Sequence, residues 1–308
     1  MADPEQTLGE QHPEPRAESR RDDPEASPEL RLVARVREVY RLAAKYYGAC
    51  LARAGAGAAA RDYVERLGIT PPIAERFQLG YAPATGDALL RFLEWEGVPE
   101  ALAEQLGLIA RGGRGTFGPY DRLQDCLVLP LPEAGAAQGL GGWTLDEASG
   151  PQHVVRGRCD GAPLWADGDH LFGLMQAEES MVSREGAVLV ADPLDVLVLH
   201  SLEVTEAVAP AGGAELSPRQ ADILAQGVGR GHVVVLDAGE TGAALRLSAL
   251  RALGPRLTRV VTIPGGRSLA AWARVAGREA LVDLIHGDAN PDEAAAPAPP
   301  PAPRFDPN

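Results

Sequence analysis

The chain has 308 residues, 45% of them apolar, enough to bury a sizeable core in one or two domains. Its formal charge of −14 is concentrated at the ends: residues 1–30 carry nine acids against three arginines, residues 286–308 carry four acids against one arginine, and the stretch between them holds 30 acids and 25 bases. That balance excludes a broad basic field for non-specific phosphate binding, though local positive patches remain open. Cys50, Cys126 and Cys159 lie far apart with no CxxC or Cys/His pairing, which argues against structural zinc and for a reduced, cytoplasmic setting. With no basic-then-apolar leader and no apolar run of about 18 residues, neither export nor membrane spanning is expected.

Residues 1–29, rich in Pro, Asp, Glu and Arg, and residues 288–308, ending in Ala/Pro alternation, read as disordered tails. From Leu30 to about Leu67, Leu32, Val33, Val36, Val39, Tyr40, Ala43 and Tyr47 recur at helical spacing, and a small-residue break at Gly55–Gly57 separates a second helix through Tyr63 and Leu67. A short helix enters at Pro71, and Asp87 is placed to cap a helix over 88–96. Leu102 to Ile109 repeats the helical pattern. Cys126–Leu131 and Leu140–Thr144 are short β-like runs that suit a small antiparallel element. From Ala187 the pattern alternates: strand 187–190, helix 193–203, strand 204–208, helix 218–226, strand 232–236, helix 242–253, strand 258–263, helix 268–285. The expected fold class is α/β, a mixed α+β amino-terminal subdomain over 30–180 followed by a Rossmann-like parallel sheet with flanking helices over 181–287. In such a sheet the residues just past the carboxyl ends of the strands face the ligand crevice, which singles out Asp192, Asp195, Asp237 and Glu240.

Several phrases occur in one order: Tyr63-Val-Glu-Arg-Leu-Gly-Ile69, Arg76-Phe-Gln-Leu-Gly-Tyr-Ala-Pro83, Tyr120-Asp-Arg-Leu123 leading into Leu129-Pro-Leu131, Gly139-Leu-Gly-Gly142 and His170-Leu-Phe-Gly-Leu174. With the strands that follow, they resemble the catalytic core of bacterial DnaG-type primases over roughly residues 36–286, an amino-terminal subdomain joined to a Toprim domain. The resemblance implies primer synthesis by in-line phosphoryl transfer, with Mg²⁺ or Mn²⁺ held by carboxylates. It also implies what is altered. The family's first strand ends in Glu-Gly-Tyr-x-Asp, which falls on Ala191, Asp192, Pro193 and, for the final acid, Asp195. Its second ends in Asp-x-Asp and then Gly, which keeps Asp237 and Gly242 but places Gly239 at the second acid, with Glu240 one residue along. A third cluster, Asp-Pro-Asp, falls on Ser268, Leu269 and Ala270. Basic residues that grip template and nucleotide fall on Cys126, Trp143 and near Gln152, leaving Arg122, Arg156 and Arg158 as candidates for nucleic-acid contact. The family's zinc-binding and helicase-binding domains have no counterpart in these phrases.

Other uses compete at each position. Asp192-Pro193 suits a helix cap and first turn, with Asp195 against the positive helix end; Asp237 serves metal contact or helix entry alike. Gly227-Val-Gly-Arg-Gly231 precedes a strand and so lacks the strand-to-helix geometry of a phosphate loop. Trp143, Trp165 and Phe172 serve either as core or as stacking surfaces for single-stranded bases, and the six histidines show no ligand spacing. Two functions follow: an active primase with a reduced metal site built on Asp237, Asp195 and Glu240, or a catalytically weak or inactive relative that binds single-stranded DNA or a replication protein.

Overall fold

The structure is a computed structural model that describes residues 28–287 apart from 56, 85, 113–117, 134–135, 146–150, 157, 160–161, 164–169 and 212–214. The expected tails lie outside these residues, except that Pro28 and Glu29 already open the first helix. The elements in chain order are α1 (Pro28–Ala52), α2 (Ala58–Arg66), α3 (Pro71–Arg76), β1 (Gly80–Ala82), α4 (Ala88–Trp95), α5 (Glu100–Gln105), β2 (Ile109–Ala110) and β3 (Tyr120–Asp121). There follow β4 (Cys126–Glu133), β5 (Ala136–Thr144), β6 (Pro151–Arg156), β7 (Arg158–Cys159), β8 (Ala162–Pro163) and β9 (Leu171–Phe172). The remainder alternates: α6 (Leu174–Arg184), β10 (Gly186–Leu189), α7 (Pro193–Ser201), β11 (Ala207–Pro210), α8 (Pro218–Val228), β12 (His232–Asp237), α9 (Gly239–Leu253), β13 (Thr258–Thr262) and α10 (Leu269–His286).

The long first helix buries the predicted stripe from Val36 onward, with Val36, Val39, Tyr40, Ala43 and Tyr47 all nearly inaccessible, whereas Leu32 before it is exposed and Val33 half-buried. It lies against an antiparallel sheet of order β1-β4-β5-β6. The second sheet has the order β13-β12-β10-β11-β9, with β10 to β13 parallel and β9 antiparallel at one edge. Its strands are apolar on both faces because both are covered. Val188, Val190, Val234 and Leu236 face α7, α10 and the antiparallel sheet, while Ala187, Leu189, Val233 and Val235 face α6, α8 and α9. The first of these cores is continuous with Leu127, Leu129, Leu131 and Trp143 of the antiparallel sheet, so one apolar layer that includes α7 and α10 joins the two sheets.

Several boundaries differ from the sequence reading. The expected strand at 204–208 runs from 207 to 210, and the helix expected from 242 begins at Gly239. The last helix is interrupted at Gly277, whose φ of 83° and ψ of 170° are not helical. Asp87 occupies the N-cap position of α4 but its side chain accepts no capping hydrogen bond; its carboxylate pairs with Arg91 at 2.9 Å. The capping acceptor is Asp121, whose two oxygens receive the backbone N–H groups of Leu89 at 2.7 Å and Leu90 at 3.0 Å. Strand β9 precedes residue 181, the expected start of the second unit, yet pairs with β11 of the parallel sheet.

Candidate functional site at the strand ends

The parallel strands set Asp192, Asp195 and Asp237 at one end of the sheet, because β10 and β12 run side by side with Leu189 opposite Val235. Ala191 lies two residues past the end of β10 and packs against the same apolar cluster as Leu189 and Val235. The position where the family's principal acid falls therefore carries only a methyl group.

Asp192 caps α7: its Oδ1 accepts from the Leu194 N–H at 2.8 Å, with Pro193 at the first helical position. The same oxygen accepts from Trp143 Nε1 at 3.1 Å, a bond that joins β5 of the antiparallel sheet to the end of β10. Burial pushes the Asp192 carboxyl above the usual carboxylate range, and these two hydrogen bonds oppose the rise. Asp195 lies in the first turn of α7, where burial first and the Asp192 charge second hold its carboxyl well above the usual range. The two acids thus form a desolvated pair in which ionising one disfavours ionising the other.

Asp237 ends β12 at 8% exposure. Its Oδ2 accepts from Arg246 Nη1 at 2.7 Å, an ion pair that reaches from the strand end to α9. Arg246 escaped sequence reasoning, which looked only to the residues adjoining the strand; the available signal was its position one helical turn beyond Gly242. Glu240 lies in the first turn of α9, and its side chain is outside the described atoms. At the third strand, Ser268 caps α10 by accepting from the Ala271 N–H at 3.3 Å. Among the described residues no group of three His, Cys, Asp or Glu side chains is placed to hold a metal ion.

The basic candidates are not gathered. Arg122 is exposed and precedes β4, its backbone N–H bonded to the Leu108 carbonyl. Arg156 ends β6 opposite Gly139, which is in turn opposite Leu131 towards the far end of β4, and Arg158 lies on β7. Arg122 and Arg156 therefore sit towards opposite ends of the antiparallel sheet. Cys126 and Trp143, where the resemblance implies basic residues, are buried at 4% and 3% exposure; Phe172 is at 1%, so Trp143 and Phe172 are core rather than open stacking surfaces. Trp165 lies outside the described residues.

The glycine-rich stretch at 227–231 joins α8 to β12, a helix-to-strand link. Its Gly231 is demanded by packing: a Cβ there would lie 1.3 Å from the Glu185 carbonyl oxygen. Buried His200 contacts the Ala207 carbonyl through Nε2 at 3.1 Å, and burial lowers its imidazole to about 4, so it is a neutral core residue. No helix among the described residues is long and apolar enough to cross a membrane.

This arrangement, a helix-backed antiparallel sheet packed on a mixed sheet with acids at the parallel strand ends, recurs among proteins of known family. The model of the DNA primase catalytic core, N-terminal domain, matches residues 46–178. The DNA primase of Synechococcus elongatus is 31% identical over 284 residues, covering 84% of this chain and 40% of the relative; that of Myxococcus xanthus is 28% identical over 273 residues, covering 85% and 43%. Among solved structures, the RNA polymerase domain of the Mycobacterium tuberculosis primase DnaG superposes with a TM-score of 0.69 at 26% identity, covering 82% of each chain. The zinc-binding and RNA polymerase domains of the Aquifex aeolicus primase give 0.67 at 27% identity, covering 81% of this chain and 60% of that one. The chain belongs to the family of DnaG-type DNA primase catalytic cores. It spans less than half the length of these two curated relatives.

Proposed function

We propose that this chain is a replication-associated primase relative with weak or no nucleotidyl transfer, retaining the fold as a binding module for single-stranded DNA or a replication protein in the cytoplasm. One observation carries the reading. At the three parallel strand ends the acids implied by the family are replaced by Ala191, Gly239 and Ser268, while the retained Asp237 is bound to Arg246. Phosphoryl transfer between nucleotides develops charge that divalent ions neutralise, and those ions need several free carboxylate oxygens. Losing them should cost several kcal/mol of transition-state stabilisation, a rate loss of a few powers of ten.

DNA is the nucleic acid to test, because a relative at 25% identity, the Mycobacterium tuberculosis RNA polymerase domain, has been solved with a double-stranded DNA oligomer carrying a 6-nucleotide overhang. The second reading, an active primase using Mg²⁺ or Mn²⁺, draws on the Asp192 and Asp195 pair, which sets two carboxyls at one strand end. Incorporation of labelled ribonucleotides on single-stranded DNA, with each ion in turn and beside Asp237→Ala, separates the two. No synthesis together with retained DNA binding is expected; robust metal-dependent primers would overturn the proposal.

A further inference from the structure

The family implies a divalent ion at the carboxyl ends of these strands, and among the described residues no group of three His, Cys, Asp or Glu side chains is placed to hold one. A carboxylate as withdrawn from water as Asp237, at 8% exposure, requires a counter-charge. The chain supplies that charge itself. Gly242 and Arg246 are four residues apart on α9, on the face that meets the end of β12. A Cβ at Gly242 would lie 2.8 Å from Asp237 Oδ1 and 3.0 Å from the Asp237 Cα and carbonyl carbon, so glycine lets the helix settle directly on the strand end. One turn later Arg246 reaches back and donates Nη1 to Oδ2 at 2.7 Å. One carboxylate oxygen thus faces the backbone of α9 and the other is covered by the guanidinium.

Mg²⁺ requires near-octahedral oxygen coordination at about 2.1 Å, and it gives up its waters reluctantly. Asp237 Oδ2 is already engaged, the chain past the neighbouring strand carries Ala191 where the family has an acid, and the hydroxyl at Ser268 is committed to capping α10. We infer that Arg246 stands in for the divalent ion at this strand end, neutralising Asp237 and keeping metal off it. The inference rests on the reading of the chain as a primase-type core with a reduced metal site, and it assigns to Arg246 an ion-excluding role that the fold alone does not require.

The test is direct Mn²⁺ binding to the full chain, read by electron paramagnetic resonance of the free ion, for wild type, Asp237→Asn, Arg246→Gln and the double variant. Wild type and Asp237→Asn are expected to bind alike. Arg246→Gln is expected to gain a site at least about tenfold tighter than any on the wild type, and the double variant to lose it. A wild-type site removed by Asp237→Asn overturns the inference, as does an Arg246→Gln protein, folded by circular dichroism, that binds no better than wild type. If Arg246→Gln does not fold, the comparison of wild type with Asp237→Asn still decides. The outcome is independent of catalysis: primers made equally by wild type and Asp237→Asn would defeat the weak-enzyme reading and leave the role of Arg246 standing, whereas Mn²⁺ on wild-type Asp237 would defeat that role whether or not primers form.

Discussion

Replacing Asp121 by Asn should flatten the acid side of the stability profile. Asp121 is buried at 3% exposure, accepts two backbone N–H bonds at the start of α4, and has its carboxyl raised from 3.8 to about 6, chiefly by burial, with the Asp87 charge adding to the rise. The two N–H bonds favour the ionised form but do not offset its desolvation. Because the folded-state value lies above the unfolded one, the folded protein binds the proton more tightly. The resulting stability is fully present below about pH 4 and is lost as pH rises through about 6. A shift of about two units corresponds to roughly 3 kcal/mol at most across that window. Asp192 and Asp195, also raised, act in the same direction, so the informative quantity is the difference between proteins rather than the wild-type slope. Asn keeps one acceptor and loses the titration. Asp121→Asn should therefore be less stable than wild type at pH 4.5 by about 1 kcal/mol and equal or more stable at pH 7.5. Urea unfolding at closely spaced pH values measures this, and parallel curves for the two proteins would refute the reasoning.

Three further substitutions probe other joints. Trp143→Phe removes the Nε1–H donor to Asp192 while keeping most of the apolar bulk, and should cost roughly 1–2 kcal/mol in chemical denaturation; Trp143→Ala, which also leaves a cavity between the sheets, should cost about 3–5 kcal/mol. Gly231→Ala drives a Cβ into the Glu185 carbonyl and should destabilise by more than about 3 kcal/mol, seen as a loss of soluble, cooperatively unfolding protein. Glu206, 1% exposed, faces Arg184 Nε at 3.4 Å and His286 Nε2 at 3.1 Å without a hydrogen bond to either carboxylate oxygen. The His286 imidazole is lowered chiefly by burial, which leaves half-exposed Arg184 as the main counter-charge at neutral pH. Glu206→Gln should accordingly leave the melting temperature at pH 7.5 unchanged or raise it, and a fall equivalent to more than about 1 kcal/mol would contradict this balance.

What the sequence made legible was whatever depends on near neighbours. The runs 187–190 and 233–236 are apolar throughout because both sheet faces are covered, and the stripe from Val36 to Tyr47 is the buried side of one helix. Strand β1 has no sequence signal because Gly80-Tyr-Ala82 is too short to show a period, and α9 begins before its predicted start because Gly239-Glu-Thr-Gly242 has the composition of a turn. The cap of α4 was misassigned for a different reason: Asp87 satisfies the local rule, but the acceptor that arrives is Asp121, 32 positions away from Leu89. The site shows the same division. Asp192 as a helix cap could be read from Asp-Pro before an apolar run, whereas its bond to Trp143 spans 49 positions and its partner type was unforeseeable. Arg246 was hidden more thinly, since Gly242 and Arg246 share a helix face with the strand end and only the packing distance was missing.

On the proposed reading, the three strand ends account for how the frame of a metal site outlasts its chemistry. A carboxylate that binds a divalent ion must keep lone pairs directed at the crevice, which leaves it unsatisfied by its own protein. Here one oxygen of Asp192 takes both the Leu194 N–H and the Trp143 indole, Asp237 is held by Arg246, and the third strand offers a serine hydroxyl that caps its helix. Each strand-to-helix turn is therefore satisfied internally, by groups that stabilise the turn and would compete with an ion. Ala191→Glu alone should not restore a metal site, because it would add one carboxylate at the end of the neighbouring strand while Arg246 still covered Asp237. Ala191→Glu combined with Arg246→Gln is the smallest change expected to give Mn²⁺ affinity exceeding that of either single variant, and additive effects of the two substitutions would show that the strand ends act independently.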